Sequence, residues 1–136
     1  MTLDELIVDL ESAKGPSRDL DAEIYKICVG LRPDESIEID GTDYHRRYWP
    51  GGPEVSYSTL RKYTEFMDAA ALLLLPSWRI RTIDASIPSM TSCALIGPLC
   101  EGGMQERPVM IPQHVYGIGC TIPLAICIAA VKTRSP

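Results

Sequence analysis

The stretch Tyr44-His45-Arg46-Arg47-Tyr48-Trp49 concentrates the side chains best suited to molecular recognition in this chain. Aromatic faces stack on planar rings and on guanidinium groups, and arginine forks grip carboxylate and phosphate oxygens two at a time. A Pro-Gly-Gly turn follows at positions 50–52, and then Tyr57, Arg61, Lys62 and Tyr63. Arg79 and Arg81 come later, at the spacing that puts two side chains on one face of a strand. Tyr44, His45, Arg46, Arg47, Tyr48, Trp49, Arg79 and Arg81 are therefore the expected ligand-binding set, suited to a nucleotide or another small anion. A structural role competes with this one. Tyr48 and Trp49 would pin a loop to the core while the arginines face solvent, and the residue types alone lean toward that plainer role.

Gly117-Ile118-Gly119-Cys120-Thr121 is a second candidate. Glycines ahead of a helix start expose N–H groups to an anion, and the same position lowers a thiol's pKa. With His114 near it in sequence, Cys120 would form a nucleophile pair. An ordinary tight turn into a capped, buried helix explains the same residues with fewer assumptions and is the expectation here. His45 and His114, the two histidines of the chain, are the acid–base candidates. Nothing in their spacing fixes a distance between them. G-x-S-x-G, the P-loop, H-E-x-x-H and the dinucleotide fingerprint are all absent, and the carboxylates are scattered. The expectation is a protein with no catalytic residues, no metal and no cofactor.

Amphipathic elements must position these residues. Thr2 and Glu5 make a T-x-x-E capping box, and Leu3, Leu6, Ile7 and Leu10 recur at helical spacing, which predicts a helix over Thr2 to Ala13. Gly15-Pro16 stops it. Ser17 or Asp19 caps a second helix over Asp19 to Val29, with an apolar stripe of Leu20, Ile24, Ile27 and Cys28 and with Gly30 and Pro33 at its end. Its carboxylates Asp19, Asp21 and Glu23 are expected on a solvated face near the positive end of the helix dipole. Alternation predicts strands at Ile37 to Ile39 and Trp78 to Ile83, the latter with Trp78, Ile80 and Thr82 on one face and Arg79, Arg81 and Ile83 on the other. Thr91 to Ile96 and Pro108 to Val115 are further strands. Thr64 is expected to cap a third helix over Glu65 to Leu75. Thr121 caps a last one, Thr121 to Lys132, with Pro123 in its first turn. The aromatic stretch itself is expected as a loop.

Length and composition set the frame. At 136 residues the chain is one domain's worth, and 46% hydrophobic with 23% charged residues is a globular balance. A net charge of -5 argues against broad nucleic-acid binding. The first dozen residues are acidic and periodic, unlike a secretory leader, and the longest apolar run, near Ile122 to Val131, is too short to span a bilayer. A cytoplasmic protein with no membrane association is the expectation. The five cysteines form no CxxC pair and fit small buried hydrophobes better than a disulfide framework. The last helix is apolar nearly all round, so it must be covered on several sides. Together with the apolar Ala69 to Leu75 segment it exceeds what one small core needs, which predicts a homo-oligomer, most simply a two-fold dimer.

Three segments in this order, ESAKGPSRDLDAEIYKI, YTEFMDAAALLLLPSWRI and GCTIPLAICIAAVKTR, resemble the landmarks of the phage ABA sandwich domain family. These are small proteins encoded by bacteriophages and prophages. That family carries G-x-R-x-LD-x-x-I at a helix start, YT-x-S-x-D-A-A leading to P-x-GW, and a closing T-x-P-A-L-A-L-x-x-A-A-L helix. The resemblance spans Glu11 to Arg134. Phe66-Met67 stands where the family has Ser-Leu, and Ser77 where it has Gly before Trp78. The resemblance implies an α/β fold over residues 1–136, a three-layer helix–sheet–helix sandwich with a small, mostly antiparallel sheet. It also implies residence in the cytoplasm of an infected bacterial host. It brings no catalytic residues, and fold alone does not license function.

Two functions fit these observations. The first is a non-catalytic phage accessory protein that binds a small anionic ligand, in the manner of an anti-defence sponge that sequesters a nucleotide immune signal. The second is an interaction module that binds a host or phage protein through the same aromatic and basic residues. Shape separates them: a concave, arginine-lined site suits a ligand, and a flat aromatic patch suits a protein.

Overall fold

The computed structural model describes residues 1–41, 43–75, 78–86, 91–98 and 115–134. They form a mixed α/β structure of four helices and two antiparallel three-stranded sheets, where the sequence led us to expect a single sheet. Helix α1 runs Leu3–Ser12, and the Thr2 hydroxyl accepts from the Glu5 N–H at 3.2 Å, as the capping box requires. Helix α2 runs Arg18–Ile24, with Ser17 as its cap, and continues into a π-helical turn at Tyr25–Val29. Gly30, at φ 87°, ends it and donates its N–H to the Tyr25 carbonyl at 2.8 Å. Such a left-handed conformation favours glycine.

Helix α4, Ile122–Lys132, begins at the expected Thr121 cap, which accepts from the Leu124 N–H. Every residue from Leu124 to Val131 is buried. The cover comes from within the chain: α1, the short helix α3 (Met67–Ala71) and strands of the second sheet all pack on α4. Its all-round apolarity is thus satisfied without a second copy. Helix α3 is shorter than Glu65 to Leu75. Its N-cap is Phe66, with no side-chain cap, because Thr64 is buried and bonded to Asp21 instead.

The first sheet has the order β1 (Glu35–Asp40), β2 (Asp43–Tyr48), β3 (Ser56–Thr59). The aromatic stretch is therefore a central strand and not a loop. A tight hairpin closed by Asp40 and Asp43, with Gly41 at φ 63°, turns β1 into it. The second sheet has the order β4 (Trp78–Ser86), β5 (Thr91–Pro98), β6 (Val115–Gly119). The turn expected at 117–119 is in fact strand β6. The strand expected over Pro108 to Val115 lies outside the described residues except for Val115.

A bulge corrects the expected faces of β4. Ile80 pairs with Ile96 and Thr82 with Leu95, which leaves Arg81 as the extra residue. Ile83 then pairs with Ala94, so it shares a face with Ile80 and not with Arg79.

Candidate recognition surface

Strand β2 divides the expected site in two, because successive side chains of a strand point to opposite faces. Tyr44, Arg46 and Tyr48 face α2 and the π turn. His45 and Arg47 face the other way, with Trp49 just past the strand's end.

The α2 side holds a polar network. The Tyr44 hydroxyl donates to the Asp19 carboxylate. The Arg46 guanidinium donates to the Tyr25 hydroxyl at 3.1 Å and lies over the Tyr25 ring, while its Nε is buried without a partner among the described residues. Tyr25 in turn donates to Glu35, whose two carboxylate oxygens lie at 2.8 and 2.9 Å. Arg32 gives Glu35 a backbone and a side-chain bond, both at 3.2 Å, and sits 3.5 Å from the centre of the Tyr48 ring. Burial pushes Glu35 up, but the Tyr25 hydroxyl and the Arg32 groups outweigh it and hold the carboxyl below the usual glutamate range.

The outer side is more exposed to solvent. Tyr57 of β3 lies opposite Arg47, and its hydroxyl donates to the Glu38 carboxylate. Arg47 reaches the same carboxylate at 3.3 Å. The His45 and Tyr57 rings are 6.0 Å apart, and Asp40 lies 4.0 Å from His45 Nε2. Trp49 is 51% exposed, and its indole N–H donates to the Gly52 carbonyl. Tyr57 is 56% exposed. Arg79 and Arg81 lie in the second sheet.

Residues that the sequence did not single out as a site form the tightest polar cluster. Arg18 donates to Asp21 at 2.8 Å, to Asp43 at 2.9 Å, and to the carbonyls of Tyr44, Leu60 and Arg61. Asp21 accepts from the Thr64 N–H and hydroxyl. It was expected on a solvated face and is fully buried, and burial raises its pKa in spite of these bonds. One signal was present: Asp21 stands three and four positions before Ile24 and Tyr25, on the helix face they share, and a carboxylate on an apolar face needs partners. A cleft of about 260 Å³ opens beside this cluster, lined by Pro16, Ser17, Arg18, Asp21, Asp43, Lys62 and Glu65. Its three carboxylates oppose an anionic occupant.

At the second candidate, a Cβ on Gly117 would stand 2.0 Å from the Ala125 carbonyl oxygen, and one on Gly119 would stand 3.1 Å from the Ala125 nitrogen. These glycines let α4 lie directly on β6. Cys120 is half-buried, and His114 lies outside the described residues. Cys127 is buried, donates to the Tyr63 carbonyl, and has its pKa raised by that burial. Among the described residues no group of three His, Cys, Asp or Glu side chains is placed to hold a metal ion, and no helix is long and apolar enough to cross a membrane.

The described residues form a mixed α/β protein whose first sheet carries exposed aromatic side chains. No protein family, curated protein or solved structure matches the chain.

Proposed function

We propose that this chain is a non-catalytic binding protein that recognises a protein partner through the outer face of its first sheet. The observation that carries this is the exposed Tyr57 opposite Arg47 on the outer face of the first sheet, with half-exposed Trp49 just past the end of β2. Trp, Tyr and Arg dominate binding energy at protein interfaces, whereas small ligands favour concave, enclosed pockets. The arginines of this region already have partners: Arg47 has Glu38, Arg46 has Tyr25, and Arg18 has Asp21 and Asp43. A small anion would compete with each of them.

The same residues read as a nucleotide sponge draw on residue type alone. The phage lineage, the host cytoplasm and the helix–sheet–helix layering rest on the three motif segments and form part of the proposal. Photo-cross-linking tests the central point. A benzophenone side chain at Tyr57 is expected to capture one protein from a bacterial extract that the same group at Val8 does not, and Arg47→Glu should abolish the capture. Calorimetry against cyclic and ADP-ribose-like nucleotides is the counter-test. Binding that is lost on Arg46→Ala or Tyr48→Ala would replace the protein partner with a small ligand.

A further inference from the structure

We propose that Arg32 is a removable plug: it fills a guanidinium seat, built from Glu35 and Tyr48, that takes an arginine side chain of a partner protein in its place. Glu35 and Tyr48 stand opposite each other where β1 begins and β2 ends, so both side chains lie on the inner face. The Arg32 guanidinium sits against both, 3.5 Å from the centre of the Tyr48 ring and 3.2 Å from a Glu35 carboxylate oxygen. A ring face and a carboxylate are the two surfaces that a planar guanidinium matches best. The Glu35 side chain is 1% exposed, so its charge is out of water and needs a cation or donors beside it.

The seat does not depend on its present occupant. Without the Arg32 head group, Glu35 keeps the Tyr25 hydroxyl and the Arg32 backbone N–H. Tyr48 stays in β2, paired with Ser56 on β3. The occupant itself is held lightly. Arg18 reaches five acceptors and its side chain is 19% exposed. The Arg32 head group has one hydrogen bond among the described residues, and its side chain is 53% exposed. Arg32 stands outside helix and strand, two residues after Gly30, where the chain already turns. A second arginine entering the seat restores the stacking and the hydrogen bond that the first gives up, so the exchange costs little. The net charge of -5 draws basic partners, and arginine is a frequent anchor at protein interfaces. That the arginine belongs to a protein rests on the partner proposed above; the seat itself does not.

NMR titration of the full chain tests the seat, with N-acetyl-arginine-N-methylamide as the probe and its lysine counterpart as the control. Arg32→Ala should bind the arginine probe about tenfold more tightly than wild type, the gain expected if the plug fills the seat about nine-tenths of the time. The Tyr48 ring signals should move as it binds. Wild type supplies a second reading that needs no substitution: its Arg32 Nε–H signal should shift toward that of a solvated arginine as the probe is added. Adding Tyr48→Leu to Arg32→Ala should remove the gain. Neither a gain in Arg32→Ala nor a shift of Arg32 in wild type overturns the proposal. So does a gain that survives Tyr48→Leu, or equal binding of the lysine probe, which would reduce the seat to bare charge. The probe reports on the seat alone, so a positive titration beside a failed cross-link at Tyr57 removes the outer-face contact and leaves the seat.

Discussion

Asp21 and Thr64, 43 positions apart, are joined by two hydrogen bonds, from the Thr64 amide at 2.8 Å and from its hydroxyl at 2.9 Å. Both residues are fully buried. Thr64→Val keeps the shape and removes the hydroxyl, leaving the carboxylate one bond short. The loss is about 1–3 kcal/mol, seen as a melting temperature lower by several degrees. Asp21→Ala should cost more, because it also strips Arg18 of the nearer of its two carboxylate partners. Equal melts for Thr64→Val and wild type would remove this pair from the list of stabilising contacts.

Gly117→Ala is expected to be among the most damaging single substitutions in the chain. The obstacle is backbone, the Ala125 carbonyl oxygen, and backbone cannot swing aside as a side-chain tip can. Overpacking of this kind costs about 1–3 kcal/mol or more. Gly15→Ala is the control: nothing lies within 4 Å of the added methyl, and a change within about 0.5 kcal/mol is expected. Paired urea titrations read both.

Glu35 should contribute to the acid limb of stability. Its carboxyl titrates below the usual range when folded, so the unfolded chain takes up the proton first. The contribution is complete above the ordinary glutamate value and fades as pH falls through the folded one. Asp21 has the opposite sign: raised in the folded state, it favours the fold as pH falls between its two values. Glu35→Gln should therefore lower the urea midpoint at about pH 7, and the gap should close toward about pH 3. A gap that stays constant across that range would show that packing and not ionisation sustains the site.

Trp49→Ala separates a recognition role from an anchoring one. The side chain is half exposed, so the melt should move little, whereas deletion of a buried aromatic costs about 3–5 kcal/mol. A drop of many degrees would assign Trp49 to the scaffold.

The helix ends were legible because caps are local chemistry: Thr2, Ser17 and Thr121 each accept from the expected backbone N–H. Strand β2 was not legible. A half-buried strand announces itself by alternating apolar residues, and here Tyr44, Arg46 and Tyr48 on the inner side meet a polar network in place of an apolar core. β6 was hidden by its glycines, which read as a turn until α4 is laid against them. Thr64 was assigned to the nearest helix start, because its partner Asp21 is far away in the chain. The recognition residues were visible by type, but their division between two faces follows only once β2 is known to be a strand.

The Arg18 clamp has a consequence for the lifetime of the folded molecule. Four of its acceptors, Asp43, Tyr44, Leu60 and Arg61, lie 25, 26, 42 and 43 residues downstream. Contacts at that separation close large loops, so β2 and the end of β3 must already be in place before one guanidinium can reach them all. Interactions completed late on the way to the folded state hold back its escape more than they speed its arrival. Weakening the clamp by Arg18→Lys should quicken unfolding and leave the refolding rate nearly untouched. Arg18 then acts as a latch on the finished structure, and it governs how long each molecule stays folded more than how readily it folds.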